Sequence, residues 1–280
     1  MVQAPQTRLD EYLLDSPSNS RFSEEKFILF LEGITAVFDG FKALDVEALG
    51  IEHNELRVVI GPNGAGKTTM CDIVSGKTKP ANGTVHFEGQ NITDISETEI
   101  ALMGVGRKFQ TPTVFDSLTT YQNMELALPG HQKLFPNLYS QVSAEEDDQI
   151  LKILERVGLK DELDTEARYL SHGQRQWLAI STLILSSPKL LLVDEPAAGL
   201  TDSETELTAE LLLELKGDHT LIIIEHDMDV VFENAHRLLV LNRGELLAEG
   251  SVDDVRADTR VQEIYLGGGS TFTSGRASHA

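Results

Sequence analysis

The 280-residue chain carries 45 acidic against 23 basic side chains, a formal net charge of −22 at pH 7. So acidic a surface repels phosphate backbones and offers no counterion release, which argues against general nucleic-acid binding and requires a local cluster of donors for any anionic ligand. With 41% hydrophobic and 24% charged residues the composition is that of a soluble globular protein, long enough for one large core with a smaller lobe, and its one cysteine, Cys71, cannot form an internal disulfide.

Residues 1–25 are polar and spotted with Ser and Pro, and are expected to form a loose extension without the basic start and apolar block of a secretory signal. Between Phe27 and Gly61 the segments "FILFLEG", "ITAVFDGF", "ALDVEAL" and "ELRVVIG", together with "GTVHFEG" further on, predict hairpin-connected strands in an antiparallel sheet. "KTTMCDIVSG" opens a helix that stops at Gly76, with Cys71 as a small buried hydrophobe. From about 111 to 186 the apolar period becomes helical and no strand pattern intervenes, so this stretch is expected as a helical lobe. Then "KLLLVDE", a helix from about Ser203 to Lys216, "HTLIIIEHD", another helix and a hairpin with Arg243-Gly244 at its tip predict a parallel sheet covered on its faces. The runs "LLLV" and "LIII" are far too short to span a bilayer, and residues 267–280 lack a core pattern and read as a flexible tail.

The stretch "GPNGAGKTT" interrupts this order with a chemical demand. Gly61, Pro62, Asn63, Gly64, Ala65 and Gly66 form a loop with almost no side chains, followed by Lys67, Thr68 and Thr69. Such a loop is either a plain surface turn or a phosphate cradle, in which backbone N–H groups and a helix N-terminus face the β- and γ-phosphates. In the cradle Lys67 neutralises charge and the Thr68 hydroxyl ligates Mg²⁺. "LLLVDEP" delivers Asp194 and Glu195 to the carboxyl end of a buried strand, where ligands of open α/β sheets collect. Those acids either cap the next helix or act on the nucleotide, Asp194 holding Mg²⁺ through water and Glu195 polarising the attacking water. "LSHGQ" places Ser171 as an N-cap, which is one reading. The other is that Ser171, His172 and Gly173 expose a second anion-binding helix start, and a second such start in one chain suggests a nucleotide shared between two chains.

These residues, in this order, resemble the ATP-binding-cassette (ABC) ATPases over about residues 26–266. The resemblance implies an α/β P-loop NTPase with a RecA-like parallel-sheet core, an N-terminal antiparallel β subdomain and a helical signature subdomain, using ATP and Mg²⁺. It places Phe38 as the aromatic stacked on adenine, Gln110 as the lobe-joining glutamine at Mg²⁺, and His226 as the switch histidine at the γ-phosphate. It also makes "LSHGQ" the signature, with Ser171, Gly173 and Gln174 completing the ATP site of an opposing subunit. Catalysis then falls to Glu195, His226 and Lys67, and metal ligation to Thr68, Gln110 and Asp194. The chain departs from the family pattern at two positions: His172 stands where a glycine is usual, and Thr201, beside Asp202, stands where many members carry an aspartate.

Within the family, "RKFQTPTVFDSLTTYQNMELAL", "EPAAGLTDSETE" and the C-terminal "LNRGELLAEGSVDDVRADTRVQEIYLG" are similar to importers of branched-chain amino acids and amides. The wording "LSHGQ" and "AGLTD" most resembles the ATP-binding subunit of urea importers. The resemblance implies two transmembrane permease subunits, a second ABC ATPase (sister or self) as dimer partner, an indirect link to a solute-binding protein, and a peripheral position on the cytoplasmic face of the inner membrane. Docking on the permeases is expected at the helical lobe, with Phe115 and Tyr121 as candidates. Non-transport cassettes usually pair two tandem cassettes or add a coiled coil and a basic surface, features absent from this sequence.

Overall fold

The computed structural model describes residues 26–108, 114–129, 142–225 and 229–267. The extension 1–25, the tail from 268, Gln110 and His226 lie outside the described residues.

Strands β1 (Phe27–Phe38), β2 (Phe41–Glu52), β4 (Asn82–Phe87) and β5 (Gln90–Asn91) pair antiparallel. Strands β3 (Leu56–Ile60), β6 (Val105–Lys108), β7 (Leu190–Asp194), β8 (Thr220–Ile224) and β9 (Arg237–Asn242) run parallel, and β10 (Glu245–Gly250) folds back on β9. The two parts meet where Glu245 of β10 pairs with Asp45 of β2, so the described strands form one 10-stranded sheet ordered β5-β4-β1-β2-β10-β9-β3-β8-β7-β6. The helices are α1 (Lys67–Val74), α2 (Glu97–Met103), α3 (Thr120–Ala127), α4 (Ala144–Arg156), α5 (His172–Leu185), α6 (Asp202–Glu214), α7 (Asp229–Asn234), α8 (Val252–Ala257) and α9 (Thr259–Gly267).

The parallel strands are buried on both sides, as their unbroken apolar runs require. Alternate residues go to opposite faces. Leu190, Leu192, Ile222, Ile224, Leu239 and Leu241 pack with Met70, Cys71, Ile73 and Val74 of α1. Leu191, Val193, Leu221, Ile223, Leu238 and Val240 pack on the other side with Ala209 and Leu212 of α6. A third cluster joins α3, α4 and α5 through Met124, Leu128, Ile150, Leu154 and Leu178. Cys71 is fully buried and its thiol is pushed up to about 12 by desolvation, so it is a packing residue.

Three expectations change. "FILFLEG" and "ITAVF" are one strand, not two: Gly33 lies at a register shift against β4, between Glu32 and Thr35, and a bulge carries the strand through. "ELRVVIG" does not join the antiparallel part, because β3 lies between β9 and β8 in the parallel sheet. The helical stretch is also preceded by elements missed in the sequence. The strand β6 has only four residues, two of them charged, and α2 is marked by the Ser96–Glu99 capping box.

Candidate functional site

β3 ends at Ile60 and the chain passes through residues 61–66 into α1. Gly61 is required by close approach: a Cβ there would lie 2.2 Å from the carbonyl oxygen of Leu241 on β9. Gly66, at φ 102°, would likewise meet Ala43 O at 2.7 Å. The tip of the β9–β10 hairpin therefore braces the loop from below, and Gly244 N–H donates to Ala65 O at 3.0 Å. The sequence predicts this hairpin but gives no sign of what it supports. α1 starts at Gly66 with no side-chain cap and no acid in its first turn. Its free N–H groups and dipole are therefore available to an anion.

Lys67 folds back over the loop, Nζ donating to Gly61 O at 2.6 Å and Pro62 O at 3.2 Å. Burial lowers its pKa, opposed by the carboxylates of Glu195 and Asp194. The lysine and both acids thus share one electrostatic neighbourhood, although more than 120 residues of chain separate them. Thr68 is exposed at the start of α1 and its hydroxyl bonds to Asp194.

Asp194 closes β7 and is 3% exposed. Its pKa is raised by desolvation and by Glu195, against the pull of Arg107, the Thr68 hydroxyl and Lys108. Its Oδ1 is buried without a hydrogen-bond partner. An orphaned carboxylate oxygen beside a threonine hydroxyl fits a hard divalent cation, whose bound form would supply charge neutralisation at phosphate oxygens. No group of three His, Cys, Asp or Glu able to hold a metal occurs among the described residues.

Glu195 follows at φ 46°, a left-handed conformation uncommon for a residue other than glycine. Its backbone N–H donates to Ile224 O at 2.9 Å, fixing it to the end of β8. The loop beyond it is held from two sides: Ala197 N–H donates to Glu225 Oε1 at 2.9 Å, and the buried Gln176 of α5 donates to Pro196 O at 2.7 Å. Glu225 and Lys108 are further residues of this centre that the sequence reading missed. Each is 2% exposed, and burial lowers Lys108 to about 8 against the attraction of Asp194 and Glu225. For Glu225 a signal existed, since it ends an apolar run just as Asp194 does.

Ser171 caps α5 in a complete capping box, its Oγ accepting from Gln174 N–H at 3.2 Å and its own N–H donating to Gln174 Oε1 at 2.9 Å. Ser171 is therefore the helix cap expected from the sequence, and its box occupies the Gln174 N–H. Gly173 is buried, and a Cβ there would lie 2.1 Å from Glu204 Oε1. Glu204 in turn caps α6, accepting from Thr201 N–H and Oγ1 at 2.9 Å each, and these bonds lower its pKa. Thr201 is thus a helix cap, with Asp202 as the first residue of α6.

Phe38 ends β1 at a tight turn through Asp39 and Gly40. Its exposure of 46% speaks against a core role, and its cross-strand partner Phe41 is more exposed still, at 66%. Two residues beyond it, Ala43 touches Gly66, so this turn borders the phosphate loop. In the helical stretch Phe115 is 62% exposed, whereas the Tyr121 hydroxyl donates to Asp147 Oδ1 at 2.7 Å and serves to tie α3 to α4.

A family model described as "ABC transporter" matches residues 44–198, and one described as "Branched-chain amino acid ATP-binding cassette transporter" matches residues 245–271. The high-affinity branched-chain amino acid transport ATP-binding protein LivG of Salmonella typhimurium is 34% identical over 251 residues, covering 86% of this chain and 98% of that protein. An ATP-binding cassette of an ABC transporter solved in its ADP conformation superposes with TM-score 0.71 at 33% identity, over 86% of this chain and 98% of that one. A dimeric ATP-binding cassette in a post-hydrolysis state bound to ADP and phosphate superposes with TM-score 0.68 at 25% identity, over 80% and 98%.

Proposed function

This chain belongs to the ABC transporter ATP-binding family, the ATPase subunits that drive transport, and from that premise we propose that it powers an importer of branched-chain amino acids. The solute assignment rests on the LivG relative and on the match at residues 245–271, which favour it over the urea or amide solute expected from the sequence. The observation that carries the chemistry is the convergence of Lys67, Asp194 and Glu195 at the loop between β3 and α1. In the proposed mechanism residues 61–66 and Lys67 bind the β- and γ-phosphates, Thr68 and Asp194 hold Mg²⁺, and Glu195 takes a proton from the attacking water. The exposed Phe38 stacks on adenine, and Ser171, Gly173 and Gln174 meet the nucleotide of a second cassette. The roles of Gln110 and His226 rest on the family resemblance alone. The helical lobe, about 111–186, meets two permease subunits with Phe115 in its docking surface, on the cytoplasmic face of the membrane, and a solute-binding protein feeds the permeases. Among the described residues no helix is long and apolar enough to cross a membrane, as a peripheral subunit requires.

A second solute reading has its own support: His172 and Thr201 give the "LSHGQ" and "AGLTD" wording that resembles urea importers. Uptake of labelled leucine and of labelled urea by cells with and without this gene separates the two. Loss of leucine uptake alone supports the main reading, and loss of urea uptake alone overturns it in favour of the second.

A further inference from the structure

On α5, His172 and Gln176 stand one turn apart and therefore on one face of the helix. Both reach the loop that follows Glu195. Gln176 Nε2 donates to Pro196 O at 2.7 Å, and His172 Nε2 lies 3.3 Å from Ala198 O. A carbonyl oxygen only accepts, so His172 Nε2 carries the proton in this contact. The imidazole also packs over Gly199, where a Cβ would lie 3.4 Å from Nε2. Ala198 N–H in turn donates to Glu195 O at 3.2 Å, so one residue links the imidazole contact to the backbone of Glu195.

We infer that His172 is a positioning residue for hydrolysis: with Gln176 it forms a two-point clamp that holds the Glu195 loop in register with the start of α5. Its two halves differ in kind. Gln176 is 0% exposed and fixed by packing, whereas His172 is exposed and can let go. The clamp joins the helix start expected to meet another chain's nucleotide to the loop that carries this chain's own Glu195. Glycine, usual at this position, has no side chain with which to make the second contact.

The clamp acts on the orientation of Glu195 and leaves the phosphate loop untouched, so it should appear in kcat and not in KM. His172→Ala in the full chain is expected to lower kcat about three- to tenfold, the size of one neutral hydrogen bond. KM for ATP should stay within about twofold, since ground-state binding is unchanged. His172→Gln keeps an N–H donor at similar reach and should restore most of the loss. The thermal unfolding midpoint of both variants should match the parent, because the side chain is exposed. An unchanged kcat in His172→Ala, an equal loss in His172→Gln, or a KM that rises in step with the loss of kcat would overturn the clamp. The inference rests on Glu195 acting on the water, and a parallel Glu195→Gln variant keeps the two apart. Full turnover in Glu195→Gln sinks the role of Glu195, whereas a silent Glu195→Gln with equal Ala and Gln variants at 172 sinks the clamp alone.

Discussion

α1 begins at Gly66 without any side-chain cap, whereas α5 begins at Ser171 inside a complete capping box. Both starts lack an acid in the first turn, in contrast to α4 and α6, whose first turns carry Glu145, Glu146 and Asp147, and Asp202 and Glu204. In a chain with net charge −22 the first turns of α1 and α5 thus add no negative charge of their own to the positive end of the helix. The difference between the two starts lies in which groups of the chain itself bond there. At α1 the loop's own lysine covers the site, bonded to Gly61 O and Pro62 O, and a phosphate has only to draw it away. At α5 the box is closed by Gln174, a neutral amide that satisfies the cap without adding negative charge. Under the proposed function the first start holds an anion alone, and the second, already capped, receives an anion held elsewhere.

The largest effect that tests this contrast is on chemistry at the first site. Glu195→Gln should lower ATP turnover by about 10²- to 10⁴-fold, the range for removing a general base. ATP affinity measured by calorimetry should stay close to that of the parent, because the loop and Lys67 are intact. Turnover near the parent's would remove Glu195 from the reaction. Lys67→Ala should act on binding instead, weakening ATP affinity about 10- to 100-fold by loss of charge-assisted hydrogen bonds. Unchanged affinity there would mean that the lysine belongs to the loop carbonyls it bonds in this structure.

At the second site, Ser171→Arg should leave ATP affinity of the loop unchanged while abolishing the rise of specific activity with protein concentration that a shared site demands. Full activity at high dilution in the parent chain would break the comparison outright. Two acidic surfaces must approach for sharing, so moderate salt should strengthen association by screening charges over a Debye length of about 10 Å.

The placement of residues 61–68 between β3 and α1, and of the acids at the end of β7, is legible because it depends on neighbours in sequence. Gly61 through Thr68 make their loop and helix start locally, and four apolar residues are enough to bury a strand that ends in Asp194. The features that escaped depend on distant partners. Nothing near Gly33 tells whether a glycine breaks a strand or bulges it, because the answer lies in the pairing of β1 with β4. The burial of Gly173 comes from Glu204, 31 residues on, and the contact of His172 from Ala198, 26 residues on. β3 looks like its antiparallel neighbours in sequence, and only the later strands β8 and β9, joined through α7, enclose it on both sides in the parallel sheet.

The smallest effect isolates function from capping. Ser143 caps α4 with the same geometry as Ser171, its Oγ accepting from Glu146 N–H at 3.2 Å and its N–H donating to Glu146 Oε2 at 2.8 Å. Each serine replaced by alanine loses one cap, and each should cost about 1 kcal/mol of stability in denaturant unfolding. The N3 residues then separate the two. Glu146 sets a carboxylate inside the box of α4, which repels phosphate, while the box of α5 is closed by the neutral amide of Gln174, the carboxylate beside Gly173 being that of Glu204 on α6. Ser171→Ala should therefore also reduce turnover, by several-fold at protein concentrations where the parent is associated, and Ser143→Ala should not. Adding Gln174→Glu to the parent chain completes the test: it preserves the box and its stability, yet sets a negative charge where a second chain's phosphate is expected. If that variant turned over ATP like the parent, the neutral amide at α5 would be a cap like any other, and the contrast between the two helix starts would lose its functional meaning.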